Sequence, residues 1–332
     1  MSPCSVRRAS RPCSPRSSAT TRRVTRRAPA VTTTATPDGL LLVDKPAGVS
    51  SHDVVNAARR AVGERRIGHA GTLDPFATGL LVLLVGRATR LLPHLPDEPK
   101  VYEARIAFGA ETDTEDLLGQ VVREAPRPTR AALLEALPQF VGSIDQVPPA
   151  YSAKRVDGQR AYALARAGAE VELKPVRISV HRWELLGVEE DSQGRVVTAD
   201  VRITCGGGTY VRSLARDLAR AVHSAAHLSA LRRVRTGPFD VADAVTLEDL
   251  REKRARLRPA LDALPGFPVQ RLSDDELAKI VRGIDVAATV RGAWGALVRA
   301  DDSMLVALAE RRAAADAPGG ERWQPRVVMR EA

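Results

Sequence analysis

Residues 65–85 read RRIGHAGTLDPFATGLLVLLV, a glycine-rich loop followed by an uninterrupted apolar run. The run over 80–85 predicts a buried strand. In the loop before it, glycines permit tight turns and a close approach of the backbone to a ligand, and Pro75 restricts Asp74 to an extended backbone that presents its carboxylate. Asp74 is therefore a candidate functional residue. The competing interpretation, that Asp74 only bonds to backbone groups of a turn, is the commoner fate of an aspartate in such a loop.

The chain before this loop predicts a strand and a helix. Residues 40–43 form a short apolar run that ends at Asp44-Lys45-Pro46, which is typical of a buried strand followed by a turn. Ser51 is a candidate N-cap for a helix that Gly63 terminates. The apolar positions that share one face of this helix at the 3.6-residue period are Val54, Val55, Ala58, Ala61 and Val62.

Two segments after the loop, 101–108 and 196–205, alternate between apolar and polar residues and predict half-buried strands. Tyr102 shares the apolar face of the first strand with Ile106, which favours a place in the core. Three glycines follow the second strand, but the chain has no Gly-Lys pair and lacks the spacing of a nucleotide-binding loop. Arg212 begins the next helix, where a guanidinium either pairs with a carboxylate or phosphate or, more commonly, lies in solvent.

Charge along the 332 residues is unevenly distributed. The net charge is +10, yet residues 1–36 hold eight of the 50 basic residues and no acidic one, which leaves 42 basic against 40 acidic residues in the remainder. The Arg-, Ser- and Thr-rich stretch over 1–36 cannot bury enough apolar surface to fold, and it is predicted to be a disordered tail. This stretch is more readily interpreted as a basic RNA-contacting arm, or as the result of a start codon placed too far upstream, than as an organellar transit peptide.

The cysteines and acidic residues argue against disulfides and metal sites. Cys4 and Cys13 lie in the tail and only Cys205 lies in the body, so no disulfide framework is expected. No cysteine or histidine spacing suits a metal, and the acidic stretch over 112–116 is more typical of a turn than of a cation site. No run reaches the roughly 18 apolar residues of a membrane span. We expect a soluble, metal-free protein of a reducing compartment.

The C-terminal part differs in character from the body. Prolines are concentrated between residues 257 and 268, which predicts a linker, and the runs at 294–298 and 304–308 predict a hairpin, with 326–329 as a closing strand. The predicted organisation is a tail over 1–36, a mixed α/β domain over 37–258, a linker over 259–268 and a small β-rich domain over 269–332.

Seven collinear segments resemble the bacterial tRNA pseudouridine synthase B family. They are LLVDKPAGVSSHDVV (41–55), RRIGHAGTLDPFATGLLVL (65–83), KVYEA (100–104), GAETDTEDLLG (109–119), VPPAYSAKRVDGQRAYALARAG (147–168), CGGGTYVRSLARDLA (205–219) and HLSALRRVRTGPF (227–239). The resemblance covers residues 39 to about 250. A looser likeness to a PUA-like RNA-binding module lies in LSDDELAKIVRGIDV (272–286) and WQPRVVM (323–329). The fold so implied is α+β, with a mixed, largely antiparallel sheet and flanking helices.

The resemblance implies roles for individual residues. Asp74 matches the family's catalytic aspartate, and the sequence leaves open whether it attacks C1′, adds to C6 or removes a sugar proton. Arg212 corresponds to the arginine that pairs with this aspartate, and Tyr102 to a tyrosine expected to stack on the uracil and to assist proton transfer at C5. His69 matches a histidine that takes the space of the flipped-out base. The remaining expected substrate-binding positions are Lys45, Pro46, Tyr210 and Leu231.

The implied reaction is the isomerisation of uridine to pseudouridine in the T-arm loop of tRNA, at position 55. The resemblance implies a stand-alone, cofactor-free, cytoplasmic and monomeric enzyme with tRNA as its partner, no protein partner and no membrane. Three alternatives are a guide-RNA-dependent synthase, a noncatalytic RNA-binding protein on the same scaffold, and a small-molecule α/β enzyme. The bacterial-style segments that flank the catalytic loop disfavour the guide-dependent synthase. The presence of Asp74, Tyr102 and Arg212 disfavours a noncatalytic protein, and the missing nucleotide motifs disfavour the small-molecule enzyme.

Overall fold

A computed structural model of the chain describes residues 37–151, 155–156, 159–160, 173–313 and 320–329. The predicted tail over 1–36 and most of the motif segment over 152–168 lie outside the described residues. The described residues from 37 onward belong to one compact unit. None of the helices in this described part has the length and apolar character needed to span a bilayer.

Helices are few and short beside the strands. The described α-helices are α1 (Ser51–Val62), α2 (Arg130–Ala136), α3 (Val211–Ala221), α4 (Leu247–Arg251) and α5 (Asp274–Val281), and 3-10 turns cover Gly86–His94, Leu137–Phe140, Val241–Asp243 and Ala260–Ala263. The described strands are β1 (Gly39–Lys45), β2 (Ile67–His69), β3 (Thr78–Val85), β4 (Lys100–Phe108), β5 (Ala110–Thr112), β6 (Val121–Glu124), β7 (Gly142–Gln146), β8 (Arg155–Val156), β9 (Gln159–Arg160), β10 (Val176–Glu190), β11 (Val196–Cys205), β12 (Ala226–Thr236), β13 (Phe239–Asp240), β14 (Val245–Thr246), β15 (Val269–Leu272), β16 (Val286–Ala287), β17 (Trp294–Arg299), β18 (Leu305–Ala313) and β19 (Glu321–Val328).

The main sheet has ten strands and is mixed. Its order is β14-β1-β3-β12-β4-β11-β10-β7, with β2 paired to β3 and β13 paired to β12. Among its described pairings, only β1 with β14 and β3 with β12 are parallel, and the others are antiparallel. This confirms the expected largely antiparallel sheet. Strand β3, which follows the candidate loop, and strand β4, which carries Tyr102, both pair with β12 near the middle of the sheet.

The predicted faces of β4 and β11 are confirmed. Tyr102 and Ile106 point into a core that β11 and α3 complete, whereas Arg105 lies exposed on the opposite face. The apolar stripe of α3 packs here because its leucines at 214 and 218 recur at the helical period. The helix is thereby pressed onto the sheet beside Tyr102, which places its first turn at the edge of the core.

Helix α1 begins one residue earlier than expected. Ser50, not Ser51, is the N-cap, because its hydroxyl accepts from the Asp53 N–H while Asp53 caps the Ser50 N–H in return. The Ser51 hydroxyl instead bonds to both backbone groups of Leu73, at 2.9 and 3.0 Å. The predicted C-terminus is confirmed, since Gly63 adopts the left-handed conformation with φ of 71°.

The C-terminal residues form a second, five-stranded sheet in the order β15-β17-β18-β19-β16. The predicted hairpin of β17 and β18 is confirmed, and β19 extends further back along the chain than the expected 326–329. One apolar cluster contains residues of both sheets, among them Leu40, Leu84, Leu308 and Val327. Leu264 of the predicted linker is buried in the same cluster. The division at residues 259–268 stays a prediction.

Candidate active site

The Lys45 side chain holds the backbone of the loop that carries Asp74. Its ammonium is fully buried and donates to the carbonyls of Pro46, Val49 and Pro75, at 3.0, 2.8 and 3.2 Å. Burial lowers the pKa of Lys45 to about 8, and the nearby Asp74 carboxylate opposes this shift. Because Pro75 directly follows Asp74, the ammonium holds the backbone at the carboxylate. Lys45 therefore supports the loop through its backbone carbonyls.

Arg233 of β12 holds the other end of the loop. Its Nε donates to the carbonyl of Leu80 at 2.8 Å and its Nη2 to the carbonyl of Gly71 at 3.0 Å. Gly71 and Gly79 have φ of 88° and 101°, and a Cβ at Gly79 would lie 2.2 Å from the Arg233 carbonyl oxygen. Only glycine allows this close approach of the loop to β12. Among the described residues, Arg233 forms no ion pair.

The Arg212 guanidinium lies against the Asp74 carboxylate. Arg212 is the second residue of α3, and its Nε is 2.9 Å from Asp74 Oδ2. Only 4% of the Arg212 side chain is exposed, whereas Asp74 keeps 36%. The carbonyls of Thr114 and Tyr151 accept from Nη1 and Nη2 at 2.6 and 2.9 Å. All three guanidinium nitrogens are thus held, and the interpretation of Arg212 as a solvated residue is wrong.

The acidic turn over 112–116 completes the surroundings of α3. Asp116 Oδ2 lies 3.6 Å from Arg212 Nη1. Glu115 accepts from the Ser213 hydroxyl at 2.8 Å and pairs with Arg216. The φ of Glu115 is 60°, a left-handed conformation that costs roughly 1–2 kcal/mol for a residue with a side chain. The carboxylates of this turn therefore hold the side chains of α3, the helix that carries Arg212, and the sequence analysis did not predict this role.

Opposing influences act on the Asp74 carboxylate. Desolvation raises the pKa of Asp74 and the negative charge of Asp116 adds to the rise, whereas Arg212 and, more weakly, Lys45 oppose it. The net shift of the Asp74 pKa is upward. An ionised Asp74 is therefore a carboxylate with reduced solvation next to a guanidinium, which is a suitable state for attack on an electrophilic carbon.

A cavity of about 390 Å³ opens over this carboxylate. Five of the eight predicted site residues line it, namely Asp74, Tyr102, Tyr210, Arg212 and Leu231, together with Lys100 and Arg233, which the sequence analysis did not single out. Tyr210 is the N-cap residue of α3, and both of its backbone groups bond to the side-chain amide of Gln146, at 2.9 and 3.0 Å. The volume is within the ordinary range for a small-molecule or nucleotide site.

Tyr102 lies in the cavity wall and is buried. Burial raises the pKa of Tyr102, and the neighbouring Arg233 opposes the rise. The phenol is therefore neutral at physiological pH, and its hydroxyl lies beside the Arg233 guanidinium. Leu231 is also buried at the wall, so that an apolar surface and an aromatic one both face the space above Asp74.

His69, Lys45 and Pro46 are not among the residues that line the cavity. His69 ends β2 opposite Leu83 of β3 and is half-buried. Its Nδ1 has no hydrogen-bond partner among the described residues, and burial lowers the pKa of His69, which favours the neutral imidazole. Pro46 is exposed in the turn after β1. The structure thus separates these three residues from the five that face the cavity.

The described site combines an ionisable carboxylate, a paired guanidinium, a neutral phenol and an apolar wall. Such a set can hold a flat heterocycle against the tyrosine and bring the carboxylate to its attached sugar. Sequence reasoning missed Asp116, Lys100 and Arg233. The only local signal for them is their place inside the segments 109–119, 100–104 and 227–239, because their contacts lie far apart along the chain.

Two family descriptions match adjoining parts of the chain. The TruB family pseudouridylate synthase N-terminal domain matches residues 59–211, and the tRNA pseudouridylate synthase B C-terminal domain matches residues 212–287. The chain is 45% identical over 285 residues to the tRNA pseudouridine synthase B of Thermobifida fusca, covering 85% of this chain and 97% of that protein. It is 43% identical over 301 residues to that of Mycobacteroides abscessus, covering 89% and 97%.

Solved structures share the fold at lower identity. An H/ACA ribonucleoprotein bound to a substrate RNA containing 2′-deoxyuridine matches with a TM-score of 0.63 and 23% identity, covering 88% of this chain and 85% of that chain. A Cbf5–Nop10–Gar1 complex matches with a TM-score of 0.62, 24% identity and the same coverage. These likenesses concern the fold, whereas the identity of 43–45% to the bacterial enzymes extends over most of the chain. The chain belongs to the tRNA pseudouridine synthase B family and isomerises uridine to pseudouridine in tRNA.

Proposed function

We propose that the protein acts alone on the uridine at position 55 in the T-arm loop of tRNA, with Asp74 as the nucleophile. The observation that carries the proposal is the Asp74 carboxylate, which faces the cavity at 2.9 Å from the Arg212 guanidinium. The proposed position and loop follow from the resemblance of segments 41–55, 65–83 and 205–219 to this family.

The reaction needs no external reagent. The N1–C1′ bond breaks, the base turns, and a C5–C1′ bond forms, while C5 loses a proton and N1 gains one. Atoms and electrons balance within the substrate, so no oxidant, reductant or cofactor is required. A carboxylate that bonds transiently to a sugar or base carbon divides this rearrangement into easier steps. In this step Asp74 bonds either to C1′ of the sugar or to C6 of the base; in the alternative to nucleophilic attack it forms no bond to carbon and instead removes a proton from the sugar.

Arg212 and Tyr102 have distinct proposed roles. Arg212 keeps Asp74 ionised against the desolvation that raises its pKa. Tyr102 stacks on the uracil, and its hydroxyl assists the loss of the C5 proton. Leu231 packs against the base, and Tyr210 positions the start of α3. Because Lys45 is buried behind the loop, we propose that it supports the loop, together with Pro46, without touching the RNA.

The uridine lies in a folded RNA loop and has to leave its stack before C1′ can reach Asp74. We propose that His69, two residues before Gly71, takes the vacated space as a neutral imidazole. Its half-buried position at the end of β2, in the loop that leads to Asp74, supports this role. Recognition of the remaining tRNA then rests on shape and on phosphate contacts.

The proposal extends to the state of the protein in the cell. tRNA is the substrate, and we propose that the enzyme works in the cytoplasm as a monomer without a protein partner or a guide RNA. The completeness of the site within one chain supports this, since Asp74, Arg212 and Tyr102 all come from the same molecule.

The test measures tritium release from an unmodified tRNA transcript labelled at uridine C5. We expect the wild type alone to release label, and a transcript with cytidine at position 55 to release none. Asp74→Asn removes the nucleophile and is expected to slow release by roughly 10³-fold or more. Asp145→Asn is the matched control, because Asp145 is an exposed carboxylate on β7. If the wild type binds tRNA but releases nothing until guide RNA is added, the stand-alone proposal is wrong.

A further inference from the structure

Three cations line the cavity, and they differ in how their donors are used. Arg212 donates from all three nitrogens to Asp74 and to two carbonyls. Arg233 donates to the carbonyls of Gly71 and Leu80 and is almost completely buried. For Lys100, Asp97 is the only hydrogen-bond acceptor of the ammonium among the described residues. An ammonium has three N–H groups, so two of the Lys100 donors have no acceptor among the described residues, and unlike the two arginines Lys100 donates to no backbone carbonyl there.

The surroundings of Lys100 place its ammonium near the mouth of the cavity. Its side chain is 9% exposed, but its partner Asp97, 2.7 Å away, is 39% exposed and also lines the cavity. A Cβ at Gly71 would lie 3.6 Å from Lys100 Cε, and one at Gly207 would lie 3.7 Å from Lys100 Nζ. The stem of Lys100 therefore passes between the loop that carries Asp74 and the exposed glycine turn before α3.

The glycine turn is fixed independently of Lys100. The Gly207 N–H donates to Glu98 Oε1 at 2.5 Å, so the turn does not need the ammonium to hold it. The carboxylate of Asp97 has no other partner than Lys100 among the described residues. The ion pair thus joins a largely buried ammonium with unused donors to a partly exposed anion. It is a contact that a stronger anion can replace.

A nucleotide with its C1′ at Asp74 brings two phosphodiesters to the mouth of the same cavity. We infer that Lys100 binds a phosphate next to the target uridine, and that Asp97 holds and competes for the ammonium in the free enzyme. A phosphate offers several acceptor oxygens and a full negative charge, which suits a compact ammonium. This inference rests on the proposed function, because it assumes that the uridine enters the cavity over Asp74.

The inference predicts opposite effects for the two partners of one ion pair. Lys100→Met removes the phosphate ligand and is expected to weaken tRNA binding about tenfold. It should also lower the slope of log K against log salt by about one unit. Asp97→Asn removes the competitor, and we expect it to strengthen binding several-fold with an unchanged salt slope. If the pair only supported the structure, both variants would weaken binding.

The experiment measures filter binding of unmodified tRNA from 50 to 300 mM KCl for the wild type and both variants, with Arg105→Met as the control. Arg105 lies on the same strand, in an exposed pair with Asp200 on the face away from the cavity, and its loss should leave the slope unchanged. Weaker binding by Asp97→Asn, or an unchanged slope for Lys100→Met, would overturn the inference. Asp97 is partly exposed, so its variant tests the idea even if Lys100→Met folds poorly.

A second arm identifies the phosphate. The linkage on the 5′ or the 3′ side of the target uridine is replaced by a neutral methylphosphonate in a T-arm stem-loop. One of these RNAs should bind the wild type about as weakly as the native RNA binds Lys100→Met. Lys100→Met should bind this modified RNA and the native RNA with the same affinity. Additive losses for both RNAs would contradict the inference. Tritium release by the wild type is measured in parallel, so failure of the inference is separable from failure of the proposed function.

Discussion

At Asp74 the requirement for a charged nucleophile is opposed by the loss of water around it. Desolvation and the nearby Asp116 raise the pKa of Asp74, and Arg212 only partly offsets them. A carboxylate reacts as a nucleophile only when it is ionised, so activity is present above this pKa and is lost as the pH falls through it. Because the pKa is raised, the loss begins at a higher pH than for an ordinary aspartate, whose pKa is about 3.9.

The first prediction concerns this acid limb. The single-turnover rate at saturating enzyme should fall with decreasing pH around a midpoint above about 4. Asp116→Asn removes a negative neighbour, lowers the pKa of Asp74 and should move the midpoint to lower pH, whatever its effect on the maximal rate. Asp113→Asn is the matched control, because Asp113 lies in the same turn and accepts from the Gln120 N–H. A midpoint that Asp116→Asn leaves in place would count against this account of Asp74.

Residue-scale predictions from sequence succeed where the determinant is local. Pro75 and the glycines around Asp74 predict a presented carboxylate without any knowledge of tertiary contacts, and Tyr102 lies on the face that the alternation indicates. Arg212 shows the limit. The helix start predicts its position, but its partners at 74, 114 and 116 come from two other segments of the chain. Only the resemblance to a family pointed to that pairing.

At the scale of elements, the acidic turn and α3 are held together by a buried ion pair. Glu115 and Arg216 both have side chains that are about nine-tenths buried. The two partners are not equivalent. Arg216 also pairs with Asp217 and donates to the Val147 carbonyl at 2.9 Å, whereas within the described part of the chain the Glu115 carboxylate accepts side-chain hydrogen bonds only from Arg216 and Ser213, with Arg212 as a more distant cation. Loss of the arginine therefore leaves a buried anion with little compensation.

We accordingly predict an asymmetric cost. Arg216→Gln should lower the free energy of unfolding by about 3 kcal/mol or more, as expected when a buried charge loses its partner. Glu115→Gln should cost distinctly less, because Arg216 keeps Asp217. The double variant should cost less than the two single effects added together. Urea unfolding of the three variants measures all of this, and strictly additive losses, or a larger loss for Glu115→Gln, would show that the pair does not hold the turn.

Element boundaries were predicted well where a single chemical signal acts. Gly63 ends α1 as expected because a left-handed residue is needed there. The N-cap was misplaced by one residue, since two adjacent serines are equivalent on sequence alone. The position of Asp53 decides between them, because it is the third residue after Ser50 and completes a reciprocal cap. Ser51 is then free to bond to Leu73 in the loop next to Asp74.

Across the whole molecule, the two sheets are joined through a common core. Leu40 and Leu91 of the N-terminal part and Leu308 and Val327 of the C-terminal sheet belong to one buried cluster. Arg90 adds a hydrogen bond from Nη1 to the carbonyl of Val328, at 2.8 Å. The strand-like runs at 294–298 and 304–308 predicted the second sheet and the prolines before them predicted a linker, but neither pattern predicted this connection. Local patterns report which residues are apolar, and they do not report which other apolar face covers them.

This shared core predicts that the synthase body and the C-terminal sheet unfold together. Separating them would expose the leucines of the joint cluster to water, at about 25 cal/mol for each Å² of apolar surface, so a state with only one part folded is disfavoured. Trp183 of β10 lies in the body, while Trp294 and Trp323 lie in the C-terminal sheet. In Trp183→Phe, tryptophan fluorescence therefore reports on the C-terminal sheet, and far-UV circular dichroism mainly on the larger body.

For Trp183→Phe we expect the two signals to give the same urea midpoint and the same slope, as they do in a two-state transition. The wild type serves as the reference for the effect of the substitution itself. Fluorescence that changes at lower urea than the circular dichroism would mean that the C-terminal sheet unfolds first, as an independent domain. In that case the contacts within the joint cluster would contribute too little to couple the two parts. The two parts would then be energetically separate domains, divided near residues 259–268 as the sequence predicts.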